Sequence, residues 1–173
     1  MTLDIRGSLK NTKISSDRYV VLEELISNSI DAFLIRQHTD PGARSLAVSI
    51  EADITSSGLL ADGTDISITC KDNGCGFGND QADAFVTKDT SYKDDLAIAG
   101  IGKCKGSGRI QYFHHFERVG VQSTFRNETG VATRTLVPDP ARKKIDVADF
   151  ISTNGDERQI GTAIRLEGLR DAT

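Results

Sequence analysis

Glu24-Leu25-Ile26-Ser27-Asn28-Ser29-Ile30-Asp31-Ala32 is the stretch on which the reading of this chain turns. It lies in a run, residues 17–36, whose apolar residues recur with the three-to-four spacing of an amphipathic helix. Ser15, Ser16 and Asp17 offer side-chain oxygens to cap the start, and Pro41 and Gly42 close the end. At about 100° per residue, Leu22, Leu25, Ile26, Ile30 and Phe33 cluster on one side, the expected buried face. Glu24, Asn28 and Asp31 fall opposite, within an arc of about 60°. Pattern alone favours a solvated face. Asn28-Ser29 in mid-helix points further, because short polar side chains compete for backbone hydrogen bonds and weaken a helix that has no other use for them. A carboxylate, an amide and a second carboxylate on successive turns can orient a water and a hard cation side by side, and Mg²⁺ is the natural cation.

Outward from this helix the period changes to two. Leu46, Val48 and Ile50 alternate with polar neighbours, as do Ile66, Ile68 and Cys70, so two strands are expected to pair through the Gly58–Gly63 loop. Val119, Val121, Ser123 and Phe125 mark another strand, Val131, Thr133, Thr135 and Val137 the next, and Ile160, Thr162, Ile164 and Leu166 the last. Between Gly74 and Gly108 lie seven glycines and little apolar periodicity. That segment reads as a mobile loop with at most one short helix near Asp80–Phe85, followed by a helix over 107–116. Many strands with hairpin-length turns and few helices give an α+β fold: a two-layer sandwich of a mixed, mainly antiparallel sheet with helices on one face.

The bulk properties narrow the class. A chain of 173 residues with 38% hydrophobic and 27% charged residues reads as one soluble domain spanning residues 1–173. A net charge of -4 and a pI near 5.4 give no global basic field for nucleic acid, so any such contact must be local. No run reaches the ~20 apolar residues of a membrane helix, and a cytoplasmic protein without membrane contact is expected. Cys70, Cys75 and Cys104 form no C-x-x-C pair and read as reduced thiols, while His38, His114 and His115 lack metal-ligand spacing and read as structural.

Two further stretches stand out for their glycines. Asp72-Asn73-Gly74-Cys75-Gly76-Phe77 follows a strand directly and reads as a turn, because Asn and Gly tolerate positive φ. Gly100-Ile101-Gly102-Lys103-Cys104-Lys105-Gly106-Ser107-Gly108-Arg109 is a glycine-rich loop leading into a helix, where backbone amides can hold phosphates. It is not a Walker A loop, since Cys104 follows Gly102-Lys103 and Ala97 stands at the first glycine position.

The segment from Glu24 to Ala32 resembles the N-box of the GHKL (Bergerat-fold) ATPases, the class of the ninety-kilodalton heat-shock chaperone, gyrase B and MutL. Asp72-Asn73-Gly74-Cys75-Gly76 is similar to that family's D-x-G-x-G box, the glycine-rich loop to its lid, and Gly161-Thr162-Ala163-Ile164 to its closing G-T box. The lid departs from the commonest G-x-x-G-x-G spacing by one residue; Gly102, Gly106 and Gly108 match best, with Lys103 and Lys105 as alternative phosphate ligands. Thr90-Ser91-Tyr92-Lys93 resembles a lid-proximal segment of the MutL branch.

The resemblance implies that Glu24 polarises the attacking water, Asn28 binds Mg²⁺, and Asp31 supports the pocket. It further implies that Asp72 accepts from adenine N6, that Gly74 and Gly76 let the backbone approach the nucleotide, and that the Thr162 hydroxyl bonds toward Asp72. Ionised Asp only accepts, which disfavours guanine. The expected activity is Mg-dependent ATP binding and slow hydrolysis, used as a switch through lid closure, homodimerisation or coupling to downstream domains of a longer protein. A completing Lys or Arg would come from the following domain. Two other functions are alternatives to it. Histidine-kinase phosphotransfer would need helices with a phosphoacceptor His ahead of the N-box, where sixteen residues precede Asp17 without a helical pattern. A nucleotide-sensing module without turnover would have no need of Glu24.

Overall fold

The computed structural model describes residues 2–17, 19–57, 63–88, 90–102 and 108–170. Strand β1 (Thr2–Asp4) leads into helix α1 (Ile5–Asn11), where Asp4 Oδ1 accepts from the Gly7 amide at 3.1 Å and caps the first turn. This helix corrects the expectation of an unhelical leader. Helix α2 (Val20–Thr39) starts three residues later than expected, with Asp17 Oδ1 instead receiving the Tyr19 amide at 2.8 Å just ahead of it. Next come β2 (Val48–Ser57) and β3 (Gly63–Asp72), then α3 (Asn79–Val86), the four-residue α4 (Tyr92–Asp95) and α5 (Ile110–His115). The chain finishes with β4 (Phe116–Asn127), β5 (Gly130–Leu136), β6 (Lys144–Asp146), β7 (Ile151–Asn154) and β8 (Gly161–Leu169).

Six strands make one sheet in the order β2-β3-β8-β4-β5-β7, and β1 pairs separately with β6. Every pairing among the described residues is antiparallel, so the mixed component of the expected sheet is not found there. The α+β class and the antiparallel character hold. β2 and β3 pair from Val48↔Asp72 to Ser57↔Gly63. The register of β3, β8 and β4 stacks three rows across the sheet: Ile68–Leu166–Val119, Cys70–Ile164–Val121, and Asp72–Thr162–Ser123. Rows two residues apart share a face. The first two rows are apolar and pack in the main core with Val21 and Leu25 of α2 and Tyr112 and Phe113 of α5. The third, polar row extends that same inner face to the end of the strands.

α2 is turned differently from the sequence expectation. It buries Val21, Leu25, Ser29, Asp31, Phe33 and Ile35, whereas Ile26 and Ile30 are 40% and 39% exposed and Leu22 is half-buried. The covered arc is centred between Leu25 and Ala32, so the Asn28–Asp31 side faces into the molecule. Hydrophobicity alone misplaced this face because the covered flank includes polar Ser29 and Asp31, whose side chains find hydrogen-bond partners inside.

Candidate functional site

The D-N-G turn after β3 is pinned from several sides. Asn73 Oδ1 accepts from the Ala47 amide and its Nδ2 donates to Ser45 O, each at 2.8 Å. Arg36 Nη1 donates to Asn73 O at 2.8 Å, and the Cys75 amide bonds Ala32 O of α2 at 3.0 Å. Gly74 lies against Ala32. Gly76 takes φ +74, and a Cβ built there would fall 2.3 Å from Thr124 O. Backbone cannot yield as a side chain can, so Gly76→Ala is expected to cost about 1–3 kcal/mol of stability. The urea midpoint measures this, and an unchanged midpoint would refute the strain at Gly76.

This turn presents Asp72 to a cavity of about 340 Å³ that also reaches Glu24, Asn28, Asp31, Gly76, Gly102, Gly108 and Thr162. Asp72 Oδ1 accepts from the Gly74 amide at 2.8 Å and the Thr162 amide at 3.3 Å, and Ser29 Oγ donates to Oδ2 at 3.4 Å. Burial pushes the Asp72 carboxyl up to about 6, and these three hydrogen bonds hold it from rising further. It is therefore mostly ionised at neutral pH. Oδ2, with a single long hydrogen bond, keeps acceptor capacity. The Thr162 hydroxyl does not reach Asp72 as expected: it shares a 2.9 Å hydrogen bond with Ser123 Oγ, and the backbone N–H makes the link instead. Ser123 in turn accepts from the Phe77 amide at 2.8 Å.

The apolar part of the wall is built by Leu25, Ile35, Phe77, Phe85 and Ile164, with both described thiols beside it. Burial raises Cys70, and burial followed by the Asp72 charge pushes Cys75 up to about 12. Neither is in a disulfide, and the raised thiols stay protonated at neutral pH.

Glu24, Asn28 and Asp31 also line the cavity, from successive turns of α2. A Cβ on Gly108 would fall 1.9 Å from Glu24 Oε2, so this glycine lets the chain lie directly on the carboxylate. Asn28 Nδ2 donates to the Tyr112 hydroxyl at 3.2 Å. Lys93 Nζ donates to Asn28 Oδ1 at 2.7 Å and Asp31 Oδ2 at 2.6 Å, and the Gly102 amide bonds Asp31 Oδ1 at 3.2 Å. Arg109 also lines the cavity, bonded to Thr87 O and lying 5.9 Å from the Phe85 ring centre.

Glu24, Asn28, Asp31, Asp72, Gly76, Gly102, Gly108 and Thr162 thus meet around one cavity, with Gly74 just behind Asp72. Lys103, Lys105 and Gly106 lie outside the described residues. Sequence reasoning missed Ser29, Tyr112, Ser123 and the position of Lys93. Ser29 carried a signal, its poor fit to a helix interior: its Oγ returns to Leu25 O at 2.9 Å and reaches toward Asp72. His114 and His115 line no part of the cavity, and His114 Nε2 lies 2.8 Å from Thr12 O.

No cluster of three or more His, Cys, Asp or Glu among the described residues is placed to hold a metal by itself. The donor set that is present, Asn28 Oδ1 and Asp31 Oδ2, consists of hard oxygens. It suits Mg²⁺, which takes one or two protein groups and completes its shell with phosphate oxygens and water. The volume is at the lower end of small-molecule sites. No helix among the described residues is long and apolar enough to cross a membrane. No known family profile matches the chain, and no curated protein matches it either.

Proposed function

We propose that this chain has a Bergerat-type fold, binds ATP with Mg²⁺ and hydrolyses it slowly, using nucleotide state as a conformational switch. One observation carries this most directly. A buried, hydrogen-bonded carboxylate, Asp72, and the Glu24–Asn28–Asp31 series line a single cavity together with apolar side chains such as Phe77, Phe85 and Ile164. An aromatic base with an exocyclic amine suits Asp72 and the apolar lining, and a metal-bound phosphate group suits Asn28 and Asp31.

In this reading Asp72 Oδ2 accepts the adenine N6 hydrogen bond, Asn28 and Asp31 hold the cation, and Glu24 orients the attacking water and takes its proton. Mg²⁺, when bound, neutralises charge on the phosphates. Gly108 sets where the Glu24 carboxylate can lie. Homodimerisation and coupling to further domains remain part of the proposal, because lid closure must be read out by something outside the cavity.

The test is nucleotide selectivity. At a hundred times its Kd, a non-hydrolysable ATP analogue with Mg²⁺ should stabilise the chain by about 2.7 kcal/mol, seen as a rise in melting temperature. The GTP analogue at equal concentration should give little, because guanine puts an acceptor where Asp72 also accepts. Equal shifts with both would remove the adenine assignment, and no shift with either would remove the function.

A further inference from the structure

The corner of the cavity formed by Asn28 and Asp31 already contains a cation. Lys93, the second residue of α4, places its ammonium 2.7 Å from Asn28 Oδ1 and 2.6 Å from Asp31 Oδ2. The carboxamide is held from both ends: the Tyr112 hydroxyl, on a residue with 0% exposure, accepts from Nδ2, which leaves Oδ1 turned to the ammonium. The Asp31 side chain is only 8% exposed. A carboxylate so far from water needs a countercharge, and Lys93 supplies it.

A divalent ion bound to Asn28 Oδ1 would lie about 2.1 Å from that oxygen, hence within about 5 Å of the ammonium while Lys93 stays in place. Two cations that close in a partly desolvated corner repel strongly. Ammonium and metal therefore exclude one another. We propose that Lys93 is the resident counter-cation of this site, displaced when a nucleotide-borne divalent metal arrives, so that metal binding unties α4 from α2.

This inference rests on the ATP-binding function proposed above and gives its switch a moving part. Two ties converge on Asp31, one from α4 through Lys93 and one from the Gly102 amide at the head of the glycine-rich loop. Displacement removes the first and leaves the second. α4 then keeps the hydrogen bond from Gln81 Nε2 to the Tyr92 hydroxyl at 2.6 Å.

The experiment titrates Mg²⁺ against binding of a non-hydrolysable ATP analogue by calorimetry, in the parent chain, Lys93→Gln and Lys93→Arg. Glutamine keeps a donor toward Asn28 and Asp31 without the charge, and arginine keeps the charge. The half-saturating Mg²⁺ concentration should fall at least about tenfold in Lys93→Gln, within the range of ordinary coupling energies, and stay within about threefold of the parent in Lys93→Arg. The same Mg²⁺ requirement in parent and Lys93→Gln, or a higher one in the variant, overturns the inference and leaves nucleotide binding standing. No analogue binding by the parent overturns both. Should Lys93→Gln fail to fold, lysine-selective ¹⁵N spectra of the parent decide: the Lys93 ammonium signal should move with Mg²⁺–analogue and stay with analogue in chelator. A signal unmoved in both overturns the proposal.

Discussion

Replacing Asp72 with Asn is expected to weaken ATP-analogue binding on the order of 100-fold, the loss of a charge-assisted hydrogen bond plus the mismatch of an amide donor facing the N6 amine. The turn itself should survive, because Asn can still accept from the Gly74 and Thr162 amides through Oδ1. Asp72 also imposes a pH dependence with a definite sign. Its carboxyl ionises near 6 in the folded chain, above the usual 3.9 of an unfolded one. The ligand-free fold therefore holds this proton more tightly than the unfolded chain, and its contribution to stability declines as pH rises from about 4 to about 6. Binding runs the other way: the ionised carboxylate is the stronger acceptor, so affinity should fall as pH drops through 6. Isothermal titrations of parent and Asp72→Asn across pH 5–8 isolate the effect, since protonation of the phosphates is common to both. Parallel pH curves for the two proteins would show that Asp72 is not the group contacting the ligand.

Glu24→Gln should leave affinity for the analogue nearly intact while lowering turnover by about 10²- to 10⁴-fold, the range for loss of a general base. Glutamine matches glutamate in shape, so it preserves the contact with Gly108 while removing the ability to accept a proton. Asn28→Ala gives the contrasting pattern, weakening Mg²⁺-dependent binding itself. Phosphate release measured beside direct binding separates the two. Turnover in Glu24→Gln equal to the parent would leave Glu24 as a wall residue and reduce the proposal to nucleotide binding.

Sequence reasoning found the elements whose periodicity runs long enough to register. Val119 to Phe125 and Ile160 to Leu166 alternate over several residues, and both are strands of the main sheet. β1, β6 and β7 span three or four residues each, too few for alternation to stand out, and all were missed. α1 escaped because Gly7 interrupts its pattern, although Asp4 and the Gly7 amide form an ordinary cap. α4 has four residues and no buried face to leave a pattern.

The site divides along the same line. Asp72 was legible because a strand ending in D-N-G must turn there, and the period-2 series Ile68, Cys70, Asp72 carries its side chain to the inner face. Glu24, Asn28 and Asp31 were legible as one flank of a helix, since helical geometry fixes their relative directions wherever the helix packs. Chain-local chemistry, then, was determined by sequence: which residues face alike and where the backbone can turn. What that flank meets was decided only by tertiary structure, because Lys93 is 62 positions from Asp31 and Tyr112 is 84 from Asn28. The same holds for the link from the Thr162 amide to Asp72, set by the register of β3 on β8 across 90 positions. Such contacts depend on how sheet and helices dock, and docking follows the summed burial of all their faces, which no local pattern contains.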